Sequence, residues 1–597
     1  MEASAQLDES AYCRNSQDAW ASFLEARFDA HGRTAGSSGR AARLRMAELE
    51  LESLRTYTAL SKRRRNAVTA CGSVPPEVLA IIFAFAQDIW EPECIRPDTI
   101  NKKAKPSYRM GWMSVLHVVY SWRKTALDNP QLWTRLECLD IHPQFMPRTL
   151  LNSRHMPLRV HVRDGDASGF LDIAAPPLAV VHGWLCTPVI KRTEKLVIAA
   201  RHGIFESWMA ALNAPAPIMT ELELGVVCQR NQPFHLQNAL FANQALPKLT
   251  TLSLTGCLPG WDSHLFSSNL TSLRLSLAHI DFDAGMNHHD FLPTTSIFRQ
   301  LLAPMKSLAE LYLHNFFPRD DSSHEAPLAL PSTLKTFECT CDEWDAFNEY
   351  HQNLWPCIEI PRDAVVVFDI QIEAFEELVD GIAGDLFMPL LAMNNREHPA
   401  QELYLSAHAI SLRYSSQKRQ GWTWQWPDED STSDRDALAY DRESGSRHVI
   451  AWTPMCDNVP QLPLETLQAV YFCSDAMHHY ASPAKWLDVF GRAREVERLS
   501  IPYLNSLNLL SAMVPQGDED LHSLFPSLKV LIIHTGSLEE EKASAYHAAV
   551  DLSLVHLLEM RGQAGGPIRE LLVHRSMVSW EIWDRVREST SVSFFGQ

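Results

Sequence analysis

The amino-acid sequence predicts a helical N-terminal part followed by a long α/β region. Residues 75–88 contain a nine-residue apolar run, Val78 to Ala86, and residues 111–136 repeat apolar side chains at helical spacing. From about Leu139 onward, a short motif with alternating apolar residues returns ten times, and such alternation is typical of β-strands. We therefore expect helices first and an α/β repeat array afterwards.

The composition is that of a folded acidic protein. Hydrophobic residues make up 46% of the 597 residues, which is enough for a sizeable core. The formal net charge is −19. Binding to nucleic-acid phosphates needs clustered Lys and Arg, so we expect no general binding to nucleic acid.

No membrane segment is expected. The sequence begins with polar and acidic residues, unlike a signal peptide. The most apolar long stretch, residues 170–190, is interrupted by Asp172, Pro176, Pro177 and His182. We expect a cytosolic or nuclear protein.

No pattern in the sequence predicts a cofactor, a metal site or catalysis. The closest cysteines, Cys339 and Cys341, lack the second pair that a zinc site needs. The histidine pairs at 288–289 and 478–479 are expected on strands, where adjacent side chains point to opposite faces. The common phosphate-binding, hydrolase and metalloprotease motifs are absent from the sequence.

The first part of the chain is expected to be loosely ordered over residues 1–40 and helical over residues 41–65. One apolar face of this helix is predicted from Leu44, Ala47, Leu51 and Leu54. The helix closes on four basic residues, 62–65, which suit the negative C-terminal end of a helix. This basic run indicates either a nuclear localisation signal or a solvated helix end.

The apolar run after it predicts a second helix. Pro75 and Pro76 suit a helix start, and Glu77 favours its positive end. Its two apolar stripes are Val78, Ile82 and Phe85, and Leu79, Phe83 and Ala86. A helix that is apolar on nearly all sides lies in a core or is covered by a partner.

A third helical segment is expected over residues 111–136, after a loop at 91–109. One face is predicted from Val115, Val118, Val119, Trp122 and Ala126. The sequence Asp128-Asn129-Pro130 should break the helix, and Leu132 and Trp133 should form an apolar anchor behind the break.

Together, the segments VPPEVLAIIF, VLHVVYSWRKTAL and NPQLWTRL resemble an F-box over residues 73–136. Val74 and Val119 stand where the family usually has leucine and cysteine, and the insertion between the helices is longer than usual. The resemblance implies docking on a Skp-family adaptor, which joins a cullin and a RING protein. The residues that it implies in this contact are Val74, Pro75, Pro76, Glu77, Val78, Leu79, Ile82, Phe83, Val115, Val118, Trp122, Leu132 and Trp133.

The long remainder, residues 139–597, resembles leucine-rich repeats. The copies of the motif begin at residues 219, 249, 270, 308, 334, 400, 467, 496, 528 and 568, with a blurred copy at 192–198. The resemblance implies an irregular α/β solenoid in which each repeat adds one strand to a curved parallel sheet. The alternative is an ordinary α/β domain whose strands start alike.

The resemblance places target binding on the concave face of that solenoid. The residues expected to contact a target are Arg274, Tyr312, His314, Tyr404, Tyr471 and His534. The same face should also carry Glu221, Glu223, Glu338 and His574.

An insertion at 413–450 is expected to be a hairpin with a disordered tip. Its Trp422, Trp424 and Trp426 alternate like a strand with all rings on one side. They indicate either an aromatic recognition surface or a cover over the flank of the solenoid.

The resemblances imply a non-catalytic substrate receptor of an SCF-type cullin–RING ubiquitin ligase. The F-box would bind the adaptor, and the solenoid would hold an unknown target protein. The alternatives are an F-box protein that binds the adaptor without building a ligase, and a non-catalytic repeat scaffold.

Overall fold

The computed structural model describes residues 8–29, 37–69, 72–96, 106–164, 175–227, 233–237, 240–278, 291–321, 326–342, 344–370, 399–413, 446–451, 456–515, 524–534 and 543–595. The chain divides into two compact units. The helical unit comprises Met1–Ile95 and Lys105–Met156, and the sheet unit comprises Arg96–Ala104 and Pro157–Gln597.

The helical unit is built from five α-helices and three short strands among its described residues. The helices are α1 (Glu9–Leu24), α2 (Ser37–Ala67), α3 (Pro76–Ile89), α4 (Tyr120–Asp128) and α5 (Met146–Asn152). The strands are β1 (Glu93–Ile95), β2 (Ser107–Arg109) and β3 (Arg135–Glu137).

The N-terminus differs from the expectation of loose order over residues 1–40. Helix α1 forms there because Asp8 accepts a hydrogen bond from the amide of Ala11 at 3.0 Å and so caps the helix. Helix α2 contains the predicted helix at 41–65, but its predicted apolar face is not packed. Leu44 is 63% exposed and Leu51 is 51% exposed.

The segment 111–136 is divided more finely than one helix. A 3-10 helix spans Gly111–His117, and α4 begins only at Tyr120. Between them, Val119 is extended, with φ −141° and ψ 162°, a conformation that suits a β-branched residue. Val118 is therefore exposed and does not share a face with the buried Val115, which corrects the predicted stripe.

The break after α4 lies where the sequence predicts it. Asn129 is extended before Pro130, and its side chain accepts a hydrogen bond from the amide of Gln131 at 3.2 Å. Residues 91–109 are not simply a loop, since β1 and β2 pair antiparallel, with Glu93 opposite Arg109. Residues 97–105 between them lie outside the described residues.

The sheet unit alternates strands with helices and 3-10 segments. Its strands are β4 (Leu158–Arg163), β5 (Thr193–Arg201), β6 (Glu221–Val227), β7 (Phe234–His235), β8 (Thr251–Thr255), β9 (Cys257–Leu258), β10 (Ser272–Ser276), β11 (Glu310–His314), β12 (Leu328–Ala329), β13 (Thr336–Cys341), β14 (Ile358–Glu359), β15 (Val365–Ile370), β16 (Glu402–Leu405), β17 (Ala409–Arg413), β18 (Ser446–Ala451), β19 (Ala469–Phe472), β20 (Arg498–Pro502), β21 (Val530–His534), β22 (Glu570–His574) and β23 (Ser591–Phe595).

The helices of this unit lie between the strands in the chain. Those in the described residues are Leu178–Trp184, Thr187–Ile190, His202–Met209, Thr295–Leu302, Trp344–Cys357, Ser474–His479, Pro483–Phe490, Leu507–Met513, Ala543–Gln563 and Ile582–Val586. Phe205 and Trp208 of one helix and Trp486 and Phe490 of another are buried, so these helices pack through an apolar face.

Most strands of the unit join one long, mostly parallel sheet. Within this unit the strand order is β4-β5-β6-β8-β10-β11-β13-β15-β18-β17-β16-β19-β20-β21-β22-β23. The pairs β15–β18 and β16–β19 are parallel, whereas β18–β17 and β17–β16 are antiparallel. Two short pairs, β7 with β9 and β12 with β14, lie outside this sheet.

The copies of the motif align across the sheet in one register. Leu222 lies opposite Leu252, Leu252 opposite Leu273, and Leu273 opposite Leu311. All four side chains are buried, so the second apolar position of each motif builds a continuous core. The motif thus predicts both the strands and their phase.

Strands β4, β15 and β23 belong to the sheet although they do not carry the motif. In the register of the sheet, Val160, Val366 and Val592 stand at the second apolar position of the motif. The position three residues earlier, which opens each copy, holds Pro157, Asp363 or Ser589 in these strands. The flanks of the predicted insertion pair as the hairpin β17–β18, with Ala409 opposite Ile450. Its centre, including Trp422, Trp424 and Trp426, lies outside the described residues.

Candidate docking surface

Helix α3 has one buried side and one exposed apolar side. Leu79 and Phe83 are buried, and Phe83 is 0% exposed. The exposed side chains form what we call the docking stripe: Val78, Ile81, Ile82, Phe85 and Ile89. Their spacing of three, four and seven residues places them on one face of the helix. Phe85 is 68% exposed, so this stripe is open to water along the helix.

The buried side of α3 packs on aromatic rings from later segments of the same unit. The ring centroids of Phe83 and Trp122 are 5.5 Å apart, with the planes at 63°. Trp112 and Trp133 form a similar pair at 5.3 Å, and the indole of Trp133 donates a hydrogen bond to the carbonyl of Ala126 at 2.8 Å. This packing fixes which side of α3 faces outward.

The two ends of α3 are fixed by the backbone. Pro75 is the N-cap residue, and its carbonyl accepts a hydrogen bond from the amide of Leu79 at 3.0 Å. Trp90 closes the helix through its amide, and its carbonyl accepts from the amide of Trp112 at 2.7 Å. Gly111 has φ +53°, and a Cβ there would lie 2.4 Å from the carbonyl oxygen of Glu91, so this turn requires glycine.

Two further exposed side chains come from the segment that enters α4. Val118 and Tyr120 are about half exposed, and both the 3-10 helix and α4 contact α3. The guanidinium of Arg63 at the end of α2 lies 3.8 Å from the centre of the Tyr120 ring. One residue of the basic run at 62–65 thus makes a cation–π contact, which attaches the end of α2 to α4.

Charges gather near the C-terminal end of α3. Arg135 binds Asp88 at 3.1 Å and approaches Glu137 at 3.7 Å, and it also forms an ion pair with Glu91. These groups are partly exposed, so they contribute little to folding stability. They give the docking stripe a charged rim.

The residues that the sequence assigns to adaptor binding separate into two groups. Exposed to solvent are Pro75, Pro76, Glu77, Val78, Ile82 and Val118. Buried are Leu79, Phe83, Val115, Leu132 and Trp133, and half-buried are Val74 and Trp122. The buried group holds the unit together and is not available to a partner.

The set assigned from the sequence leaves out Ile81, Phe85, Ile89 and Tyr120. The helical spacing from Val78 could have identified the first three, because residues at i+3, i+7 and i+11 continue its face. Tyr120 could not be identified in this way, since the chain leaves the helical conformation at Val119.

The residues assigned to target binding are also divided. Arg274 is exposed, and Tyr312 and His314 are half-buried. Tyr404, Tyr471 and His534 are buried, so the expectation that they form an accessible surface is wrong.

The three buried rings form a stack. Tyr404 and Tyr471 have centroids 5.1 Å apart, and Tyr471 and His534 5.2 Å apart, with planes within 9° in both pairs. Burial raises the pKa of the Tyr471 phenol well above its usual value. The apolar neighbours Val365, Val367 and Ile450 explain the burial, because they continue the same cluster.

His314 belongs to a polar cluster at the end of β11. Its Nε2 lies 3.1 Å from Oδ1 of Asp342, and Asn315, with φ +50°, also donates its side-chain amide to that oxygen. The amide of Asp342 in turn donates to the side-chain oxygen of Asn315 at 2.9 Å. The hydrogen bond from His314 lowers the pKa of the Asp342 carboxyl below its usual value.

Other polar residues singled out by the sequence have structural surroundings. Cys339 and Cys341 are buried, and burial raises the pKa of the Cys339 thiol. His478 and His479 lie on a helix, not on the predicted strand, and His478 contacts Asn505 at 2.8 Å. The pair at 288–289 lies outside the described residues.

The described part of the chain contains no group of three His, Cys, Asp or Glu residues placed to hold a metal ion. Among the helices that the structure describes, none has the length and apolarity to cross a membrane.

The chain was compared with protein-family models and with curated proteins, and neither comparison finds a match.

Proposed function

We propose that this chain is a non-catalytic substrate receptor of an SCF-type cullin–RING ubiquitin ligase. The helical unit acts as an F-box that docks on a Skp-family adaptor. The sheet unit acts as an irregular leucine-rich-repeat-like solenoid that holds a target protein. The observation that carries the proposal is the exposed apolar docking stripe of α3, opposite the buried Leu79 and Phe83.

A stripe of this kind is costly for a protein that has no partner. Fully burying one Val, Ile or Phe side chain contributes about 1.5–3 kcal/mol relative to leaving it in water. Val78, Ile82 and Phe85 are each 45% exposed or more, so a partner that covers them gains a hydrophobic contribution. Contiguous apolar surface with a polar rim is typical of protein-binding sites.

The register of the sheet supports the second half of the proposal. Parallel strands of similar length recur in phase, and helical or irregular segments connect them. This arrangement favours repeats that stack side by side, with the antiparallel pair β17–β18 as an interruption. An ordinary α/β domain would not need the same apolar motif in so many strands.

The proposed mechanism is positioning. The adaptor connects the helical unit to a cullin and a RING protein, and the sheet unit keeps the target close to the ubiquitin-conjugating enzyme. Holding both partners raises the effective concentration of target lysines. The chain itself performs no bond chemistry in this mechanism.

The test uses the exposed side chains, because replacing buried ones unfolds the unit. The sequence alone suggests the pair Pro76→Ala with Phe83→Ala, but Phe83 is fully buried, and its loss would act through folding. The better variant is Ile82→Ala with Phe85→Ala, which leaves the core intact. Leu151→Ala in α5 is the matched control, because Leu151 is 77% exposed in the same unit.

We expect the double variant to weaken adaptor binding by at least about 2 kcal/mol, or roughly 30-fold, without changing the unfolding midpoint. The control should bind as the unchanged protein does. Co-purification of adaptor with cullin supports a ligase, adaptor alone supports a non-ligase F-box protein, and neither supports a scaffold. Equal adaptor binding by the double variant and the control would contradict the proposal that the docking stripe binds the adaptor.

A further inference from the structure

One row of side chains runs across the sheet from β6 to β13 and is accessible to solvent. Cross-strand pairing aligns Glu223, Ser253, Arg274, Tyr312 and Glu338 in this order. Directly paired residues point to the same face of a sheet, so these five side chains share one surface. Each of them is exposed or half-buried. We call this surface the open face.

The side chains in the middle of the open face are short. Strand β8 contributes only Thr251, Ser253 and Thr255 to it, because Leu252 and Leu254 point to the buried side. These short hydroxyl side chains lie between the carboxylate of Glu223 on β6 and the larger side chains of β10 and β11. A partner chain can therefore approach the backbone there more closely than at the flanks.

The acidic groups of the open face exceed its basic groups. Glu221 is neutralised by Lys195, whose Nζ lies 2.6 Å from its carboxylate. Glu310 accepts a hydrogen bond from Ser272 at 3.0 Å, which leaves its charge in place. Glu223 is exposed and makes no ion pair within the described residues.

The cation of this row, Arg274, makes a cation–π contact with an aromatic ring. The guanidinium carbon of Arg274 lies 4.5 Å from the centre of the Tyr312 ring, and Glu338 stands beside Tyr312 on the next strand. Glu223 and Glu338 are separated by four strand spacings, or roughly 19 Å at about 4.8 Å each. The Arg274–Tyr312 pair lies between these two carboxylates.

We propose, on the basis of the function proposed above, that the open face binds an extended basic segment of the target protein. One Lys or Arg of that segment pairs with Glu223 and a second with Glu338. An extended chain advances about 3.3 Å per residue, so the two basic residues stand about six positions apart. The segment crosses the strands and passes over Tyr312 between its two basic residues.

The test uses defined peptides and the full chain. Fluorescein-labelled decapeptides carry two arginines six positions apart, the same arginines adjacent to each other, two glutamines, or two glutamates. Fluorescence anisotropy measures binding at low and at physiological salt. We expect the spaced-arginine peptide to bind at least tenfold more tightly than the glutamine peptide and to weaken as salt rises.

Three variants distinguish this site from general attraction to an acidic protein. Glu223→Gln should weaken binding of the spaced-arginine peptide about fivefold. Glu206→Gln removes the same charge from an exposed position on the helix that contacts β5 and β6, and it should change nothing. Glu223→Arg should bind a peptide with glutamate at one end better than the unchanged protein does.

The inference is overturned if the arginine and glutamine peptides bind equally, if spacing has no effect, or if Glu206→Gln acts as strongly as Glu223→Gln. Adaptor co-purification is measured on the same samples, and unfolding midpoints confirm that each variant is folded. Retained adaptor binding without peptide selectivity removes only the basic-segment inference. Peptide selectivity without adaptor binding by the unchanged chain removes the proposed ligase function and leaves the binding property of the sheet.

Discussion

The same row of side chains changes character along the sheet. Between β6 and β13 it is polar and accessible, and from β15 to β21 it is buried. Its members in the second region, which we call the buried half, include Val367, Tyr404, Tyr471 and Ile532. The backbone alignment continues from one region to the other, so the difference lies in the side chains and in what surrounds them.

Strand sequences show part of this difference. The strands TLSLT and SLRLS alternate apolar and polar residues, as expected of a sheet with one face in water. VVVFDI and AVYF are nearly continuous apolar runs and are buried at every position. Continuous runs indicate burial on both faces. The repeated motif alone does not show this signal, because its apolar positions all lie on one face of the sheet.

The buried half also contains polar groups, and two pairs of them contact each other. Glu402 and Arg413 are nearly buried, lie opposite each other on β16 and β17, and form an ion pair at 3.8 Å. The hydroxyl of Tyr404 lies 3.0 Å from the sulfur of Cys473. A polar side chain in this region therefore indicates an internal contact and not a binding surface.

The largest expected difference between the two regions concerns their tyrosines. Tyr471→Ala removes a fully buried ring and should lower the free energy of unfolding by about 3–5 kcal/mol, as for other buried aromatic residues. Tyr312→Ala removes a half-buried ring and its contact with Arg274, and should cost about 1 kcal/mol or less. Urea unfolding of both variants measures the contrast. Equal costs would mean that the two regions are not distinct.

A second difference concerns two serines at equivalent positions. Ser500 is buried between Tyr471 and Ile532 on its neighbouring strands, so Ser500→Leu should overpack the site and cost about 1–3 kcal/mol. Ser253→Leu lies on the open face and should stay within about 0.5 kcal/mol. Thermal unfolding compares the pair. A larger loss for Ser253→Leu would show that the open face is packed in solution.

The smallest expected effect concerns Asp342, which follows β13 at the boundary of the open face. The folded-state pKa of Asp342 lies below the usual value of 3.8, so its ionised form is favoured by folding. This contribution is present above the unfolded-state pKa and is lost as the pH falls through the folded-state pKa. Asp342→Asn should remove this contribution, so the free energy of unfolding should fall less steeply as the pH is lowered.

The size of that effect is limited because Asp342 is partly exposed. We expect a loss of less than about 1 kcal/mol at neutral pH. Asp262→Asn, at an exposed aspartate of the same unit, is the control. Unfolding free energies measured from pH 7 to pH 2.5 check the result. Parallel pH curves for Asp342→Asn and the unchanged protein would exclude the contact with His314 as the cause.

The sequence by itself determined the local elements. It predicted α3 from its prolines and its apolar run, the break before Pro130, and the strands that the copies of the motif form. These features depend on backbone preferences and on one buried face, and both are encoded within a few neighbouring residues.

The tertiary structure decided which surfaces remain open. Nothing local in the apolar run shows that Phe83 is buried while Phe85 is exposed, because that choice depends on Trp122, about forty residues later in the chain. The insertion of β17 and β18 between β15 and β16 is likewise a pairing of distant segments. Tyr404 and Tyr471 resemble Tyr312 in their strand position, and only long-range packing places them inside. A repeat pattern specifies the face that all copies bury, whereas the fate of the other face depends on contacts outside the repeat.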